Sequence, residues 1–286
     1  MNVYEIVTER ILEALAKGVV PWRKPWRTET PKNMVSGRAY RGVNIFLLQS
    51  QPFDSPFWLT FKQAASLGGS VTRGQRGTPI VFWKITEKKE RAGKVTKGFL
   101  LRYFTVFNVV QVEGIEVPPL AERIAFDPIE ECEKVVTSYV NPPRIDHGGG
   151  QACYVPSNDR VQMPARESFA SPEEYYSTLF HELSHSTGAS HRLARKGVAD
   201  PSRFATHDYS FEELIAECAS AFLAAEAGIA PATLDNSAAY IASWAKRLSN
   251  EPRWIVDAAA QAAKASDLIL GKLPQKNAEQ AEHEAA

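Results

Sequence analysis

The stretch Ser171-Pro172-Glu173-Glu174-Tyr175-Tyr176-Ser177-Thr178-Leu179-Phe180-His181-Glu182-Leu183-Ser184-His185-Ser186-Thr187-Gly188 decides how the rest of the chain is read. Ser171 offers an N-cap, Pro172 suits the first helical position, and Glu174 stands where the acid of a capping box belongs. Gly188 closes the segment, so the pattern predicts a helix over about 172–187. On its last turns lies His181-Glu182-Leu183-Ser184-His185, an H-E-x-x-H sequence expected by chance in roughly one chain in a hundred of this composition. Residues i and i+4 share a helical face. His181 and His185 can therefore offer ring nitrogens to one divalent metal ion, at ~2.0–2.1 Å where the ion is zinc. Glu182, one step round, is placed to take a proton from a water that such an ion makes acidic. The bland alternative, a surface helix with two unrelated histidines, leaves both the capping and the spacing as coincidence.

A third ligand is needed, and the sequence offers two. His181 to His191 fits H-E-x-x-H-x-x-G-x-x-H, the metzincin spacing, with Gly188 and His191 in place. That class also needs a methionine turn downstream, and Met1, Met34 and Met163 all lie upstream. The rival is Glu213 in Glu213-Leu214-Ile215-Ala216-Glu217, on the next long helical segment. One of these two glutamates can ligate while the other orients a ligand histidine, an arrangement that resembles that of gluzincins. Against it stands a capping box, since Ser210-Phe211-Glu212-Glu213 fits S-x-x-E. The balance favours Glu213.

The 286 residues, 44% hydrophobic and 23% charged, suit two globular domains. Pro118, Pro119 and Pro128 mark a linker at 116–126, which separates a domain at 1–115 from one at 127–271 and a polar, disordered tail at 272–286. The net charge of zero hides a split. Residues 1–115 carry 18 Lys+Arg against 8 Asp+Glu, a net of +10, and the remainder carries −10. Cys132, Cys153 and Cys218 lack C-x-x-C spacing, which points to the reducing cytoplasm, with no disulfide framework and no thiolate zinc site. The start of the chain lacks a signal peptide's pattern, and apolar runs such as Ala221 to Ala225 are too short for a membrane span, so no membrane partner is expected.

In the basic half, Trp22-Arg23-Lys24-Pro25-Trp26-Arg27 alternates cations with large rings, Arg41 follows Tyr40, and Arg73-Gly74-Gln75-Arg76-Gly77 forms a basic loop. Cations track phosphates and rings stack on bases, so this mixture suits single-stranded DNA. The alternative for most of the aromatics, Trp58, Phe82, Trp83, Tyr103 and Phe104 among them, is a β core. Trp22 and Trp26 are the stacking candidates.

The apolar pattern predicts an opening helix over 2–17 ended by Gly18, short helices at 43–50 and 61–67, and strands within 55–60, 79–85 and 99–112. After the linker it predicts a helix at 128–139, short strands at 152–156 and 160–164, and helices at 172–187, 211–227, 235–249 and 252–270, the last two packing on the metal-site helices. Arg160–Pro164 is the candidate edge strand for pairing with extended substrate. The fold class is α+β: a small antiparallel-sheet domain joined to a mainly helical metallopeptidase-like domain.

Together these residues resemble the ArdC-type antirestriction proteins. The likeness rests on Pro21 to Trp26, Tyr40-Arg41-Gly42-Val43-Asn44, the block from Trp58 to Pro79, Phe180 to Gly188, His191-Arg192-Leu193, and Tyr209 to Glu217. The resemblance implies an N-terminal single-stranded-DNA-binding domain, a C-terminal zincin-like metallopeptidase domain, carriage on a mobile element, and protection of incoming plasmid DNA from host restriction during conjugation. It places metal-ligand roles on His181, His185 and Glu213, and the catalytic role on Glu182. The expected cofactor is one divalent metal ion, zinc by ligand type. The expected partners are single-stranded DNA, bound through Trp22, Arg23, Lys24, Trp26, Arg27, Arg41, Arg73 and Arg76, and a protein substrate in the recipient cell. Two other readings fit the same residues: a DNA-localised metalloprotease whose main role is proteolysis, and a DNA-coating protein with a non-catalytic metal site.

Overall fold

The structure is a computed structural model that describes residues 2–22, 30–89, 95–119, 127–199, 207–229 and 238–272, with 83–89, 95–99, 128, 207–209 and 238 described as backbone. Arg23, Lys24, Trp26 and Arg27 fall outside these residues, as does nearly all of the tail expected at 272–286. The chain divides into two compact units, residues 1–11 with 27–122 and 275–286, and residues 12–26 with 123–274. The first helix, α1 (Val3–Ala16), thus contributes to both. Its stripe Val7, Ile11, Ala14 and Leu15 is buried. Gly18, at φ 75°, ends it by turning its N–H to the Leu15 carbonyl while Val19 reaches back to Ala14, both in the reversal that favours glycine.

The first unit is α+β. It contains β1 (Lys32–Asn33), α2 (Val43–Gln49), β2 (Phe57–Thr60), α3 (Phe61–Ser66), β3 (Ser70–Val71), β4 (Thr78–Lys89), β5 (Val95–Asn108) and β6 (Val112–Glu113). The main sheet runs β1-β2-β5-β4 and is antiparallel except for the two-residue parallel pair β1–β2. β3 and β6 form a second, two-stranded sheet. Successive strand residues point to opposite faces, and β2 is buried on both. Trp58 joins Tyr40, Leu48, Ile80 and Val106 in one cluster, whereas Phe57 and Leu59 join Ala64, Val109 and Val112 in another. β4 and β5 form a longer hairpin than the sequence suggested, paired continuously from Thr78↔Val106 to Lys89↔Val95.

The second unit contains α4 (Pro128–Ser138), β7 (Arg144–His147), β8 (Cys153–Val155), β9 (Arg160–Met163), α5 (Pro172–Ser186), α6 (Lys196–Ala199), α7 (His207–Glu226), α8 (Ala238–Asn250) and α9 (Trp254–Ile269). Its sheet is ordered β7-β9-β8, with β7 parallel and β8 antiparallel to β9. The expected edge strand, Arg160–Pro164, is therefore the central one. Both of its main-chain edges are taken, because β7 pairs where no strand was foreseen. Below the sheet, Tyr175, Tyr176, Leu179, Phe180 and Leu183 of α5 pack against Val161, Met163, Cys132, Val135 and Leu223. Full burial of such a Leu or Phe contributes about 1.5–3 kcal/mol. α7 packs along α9, with the Phe211 and Trp254 rings 5.4 Å apart near the helix starts and small residues beyond them. Ala216 and Ala219 are buried on one helix, Ala258, Ala259, Ala262 and Ala265 on the other, and the Ser266 hydroxyl donates to the Ala219 carbonyl at 3.4 Å. No described helix is long and apolar enough to cross a membrane.

Candidate metal centre

α5 forms where its sequence said it would. The Ser171 hydroxyl accepts the Glu174 N–H at 3.2 Å with Pro172 in the first turn, and Glu174 reaches one residue further back than a capping box requires, to the Ala170 N–H at 2.9 Å. The apolar face of α5 seats it on the core, which turns His181 and His185 toward α7. α7 begins at His207, so Ser210 lies inside it and the capping box that would have occupied Glu213 is not made.

The result is a convergence. His181, His185 and Glu213 each offer one donor atom, and these atoms lie within 4.8 Å of one another. The two imidazole Nε2 atoms are 3.1 Å apart, and each is 3.5 Å from a carboxylate oxygen of Glu213. A tetrahedral ion with bonds of ~2.0–2.1 Å spaces its ligands by about 3.4 Å, so the triangle of donors fits one. The surroundings are negative. Burial works against a charged His181 ring, but the Glu213 hydrogen bond and the Glu182 and Glu217 carboxylates outweigh it and raise its pKa above the ordinary 6.5. Among the described residues no group donates a hydrogen bond to the Glu182 carboxylate, which is nearly buried.

His185 is held from behind. Its Nδ1 lies 3.4 Å from Glu212, which is 3% exposed and grips Arg195 through two hydrogen bonds of 2.6 and 2.9 Å. Burial alone would raise the Glu212 pKa, but Arg195, then His185, bring it below the usual 4.5. Sequence reading assigned the orienting role to Glu217. That residue accepts from the Tyr240 hydroxyl at 3.2 Å and its charge also acts on the His181 ring, while Tyr240 receives the Trp22 indole N–H at 3.4 Å. Glu212 went unnoticed because it falls at an unspecified position of the apparent capping box Ser210-Phe211-Glu212-Glu213. Gly188, read as part of a metzincin pattern, has another reason to be glycine. A Cβ there would lie 2.6 Å from Val198 Cγ2 and 3.0 Å from Arg195 Nη2. His191, the rival ligand, is more than half exposed and faces Asp159 at 3.4 Å, apart from the three converging donors.

Two family comparisons match most of the chain between them. Residues 1–107 match the N-terminal domain of anti-restriction factor ArdC, and residues 131–261 match a zincin-like metallopeptidase domain. The antirestriction protein ArdC of plasmid R388 is similar in a Mn(II)-bound crystal structure, with 34% identity and a TM-score of 0.77 over 97% of this chain and 100% of that one. Its metal-free structure gives a TM-score of 0.75, also at 34% identity, over 95% of this chain and 98% of that one. The chain belongs to the ArdC-type antirestriction family. Uncharacterized protein y4eC of Sinorhizobium fredii is 35% identical over 93% of this chain and 91% of its own length. DNA primase TraC of Escherichia coli is 37% identical over 93% of this chain, which spans only 27% of that protein's length. The zincin-like domain and the Mn(II)-bound relative suggest a divalent metal ion, and His181, His185 and Glu213 are a group that could hold one.

The residues expected to contact DNA are placed unevenly. Arg41, Arg73 and Arg76 are exposed on the first unit. The loop carrying Arg73 and Arg76 is pinned: Gln75 N–H bonds the Thr72 carbonyl at 3.1 Å, and the Gln111 amide donates to the Arg76 carbonyl at 3.0 Å. Trp22 departs from expectation. Its ring is 1% exposed, edge-on to Trp244 with centroids 6.0 Å apart, and is closed to a stacking base. An apolar ring next to two prolines found an aromatic pocket on α8 before it found solvent.

Proposed function

We propose that the chain is an antirestriction protein that binds single-stranded DNA through its basic first unit and carries a metal-dependent peptidase site in its second. What supports the reading is the converging His181–His185–Glu213 donor set together with the nearly buried Glu182, a carboxylate close enough to raise the His181 pKa and suited to accept a proton. A purely structural metal site needs no such base. Two imidazoles, one carboxylate and an open position are the ligand pattern of catalytic zinc sites, so zinc is the proposed ion. When bound, a divalent ion supplies Lewis acidity that polarises a peptide carbonyl and acidifies water. His181, His185 and Glu213 would hold the ion. Glu182 would receive the proton of the attacking water and pass it to the leaving amine. Arg41, Arg73 and Arg76, with Arg23, Lys24, Trp26 and Arg27, supply the cations and the ring for the DNA strand. The family, whose R388 member is named as an antirestriction protein, supports protection of incoming plasmid DNA during conjugation.

Conjugative transfer into restricting and non-restricting hosts tests the catalytic half of this reading. Loss of protection with Glu182→Ala supports a hydrolytic role directed at a protein of the recipient. Unchanged protection with Glu182→Ala sinks it and leaves DNA coating as the function.

A further inference from the structure

Glu212 and Arg195 have no part in the reading above, yet both are nearly wholly buried beside the site, with 3% and 5% of their side chains exposed. An ion pair so placed is a weak source of stability, since two charges lose their hydration to form it. The arrangement is specific in a way that bare charge pairing does not demand. Arg195 Nε donates to Glu212 Oε2 at 2.9 Å and Nη2 to Oε1 at 2.6 Å. Nη1 donates to the Thr187 hydroxyl at 2.6 Å, and Nη2 also donates to the Ser184 carbonyl at 2.8 Å. Thr187 and Ser184 flank His185 on either side of its turn. The fork is therefore anchored to the segment that presents His185, and Glu213 follows Glu212 on α7. The Glu212 Oε1 that receives Arg195 also faces His185 Nδ1, at 3.4 Å.

We infer that Glu212 is a positioning residue for His185, and that Arg195 is the clamp that keeps it aimed. Acceptance of the Nδ1 proton fixes the neutral ring in the tautomer whose Nε2 lone pair points at Glu213 and His181. A metal-ligating histidine gains basicity and a fixed ring plane from such a carboxylate. Gly188 belongs to the same device, because any side chain there would meet the guanidinium. This inference rests on the proposed metal site.

Two double variants of the full chain separate positioning from a plain ion pair. Glu212→Leu/Arg195→Met replaces the pair with apolar groups of similar size, a change that buried ion pairs often tolerate. Glu212→Gln/Arg195→Gln also removes both charges but keeps an acceptor for Nδ1. Zinc affinity measured by competition with a chelating dye should fall by about 10–100-fold in the Leu/Met protein and recover most of that loss in the Gln/Gln protein. Equal zinc affinity in the two variants, or wild-type affinity in the Leu/Met protein, overturns the inference. Histidine ¹⁵N NMR of the metal-free wild-type chain is a second arm that needs no variant. His185 in the Nδ1–H tautomer supports the inference, and an Nε2–H tautomer ends it. A wild-type chain that binds no zinc or manganese would instead defeat the metal-site reading, while the NMR arm would still decide the role of Glu212.

Discussion

The Asn44 side chain closes on both main-chain groups of Val81: its Nδ2 donates to the Val81 carbonyl at 2.8 Å, and its Oδ1 receives the Val81 N–H at 2.7 Å. Val81 lies on β4, the last strand of its sheet. An amide thus stands in for the neighbouring strand that β4 lacks on this side among the described residues. Asn44→Ala leaves a buried donor and acceptor unpaired and should cost about 2–4 kcal/mol. The freed edge should also invite pairing with a second chain. Urea unfolding and light scattering check the two effects, and a variant as stable and as monodisperse as wild type would contradict both.

Removal of the donors one at a time should rank them. Glu213→Ala should release metal almost as readily as His181→Ala. His191→Ala should leave metal content at the wild-type level, because that ring faces Asp159 on the surface. Glu182→Gln should also keep its metal, since this residue is placed as a base and not as a ligand, while any peptide hydrolysis falls by about 10²–10⁴-fold. Elemental analysis of the purified variants decides the ranking. Loss with His191→Ala and retention with Glu213→Ala would reverse it.

Binding of single-stranded DNA should weaken steeply with added salt, as counterions released by the phosphates are driven back. Arg73→Ala with Arg76→Ala should lower affinity evenly across sequences and flatten the salt dependence by about 0.7 in slope per lost phosphate contact. Fluorescence anisotropy over a salt series measures both. Trp22→Ala should act differently, by loosening the packing of α8 and lowering the melting temperature. A loss of DNA affinity with an unchanged melting temperature would restore Trp22 as a stacking residue.

Asp159 ties the β8–β9 turn to the segment after α5 through two 2.7 Å bonds from Arg192, and it also receives the Tyr154 hydroxyl of β8 at 2.9 Å. Burial opposes its charge, but Arg192 and Tyr154 prevail and lower its pKa below the usual 3.8. A carboxyl depressed on folding stabilises the protein fully above its unfolded value, and that stability fades as pH falls through the folded one. The contribution should hold down to about pH 4 and disappear below it. Asp159→Asn keeps the left-handed backbone at this position, where φ is 47°. It should be less stable than wild type at pH 7, with the gap closing in acid. Melting temperatures across pH 2–7 check this, and a gap that widens in acid would reject it.

Much of the second unit was legible because its signals are local. Ser171, Pro172 and the i, i+4 histidines act within one helix, and the structure placed them accordingly. What escaped depended on partners far along the chain. Arg144-Ile145-Asp146-His147 has one apolar residue in four, and becomes a strand only because β9 lies beside it. With β7 in place, β9 changes from an edge to a centre. Glu212 carried no signal of its own until Arg195, 17 positions away, gave it a buried cation. Trp22 carried the right composition for stacking, but composition does not reveal that Trp244 and Tyr240 would fill the space around it. The spacing of the hairpin strands was visible, whereas their full length was not, because charged residues from Glu87 onward pair through the backbone regardless of side chain.

The alanine seam between α7 and α9 makes the geometry at Glu213 a question of thickness. Where two helices meet through methyl groups their axes can approach near the lower limit of about 8 Å, and α7, whose Phe211 also packs on Trp254 of α9, is the arm that carries Glu213 to the histidines. One extra methylene on Ala262 or Ala265 would push that arm like a shim under a ruler and carry the carboxylate away from both imidazoles. Change along this seam is therefore constrained in pairs: bulk gained on α9 must be surrendered on α7, or the site opens although none of its own residues has changed.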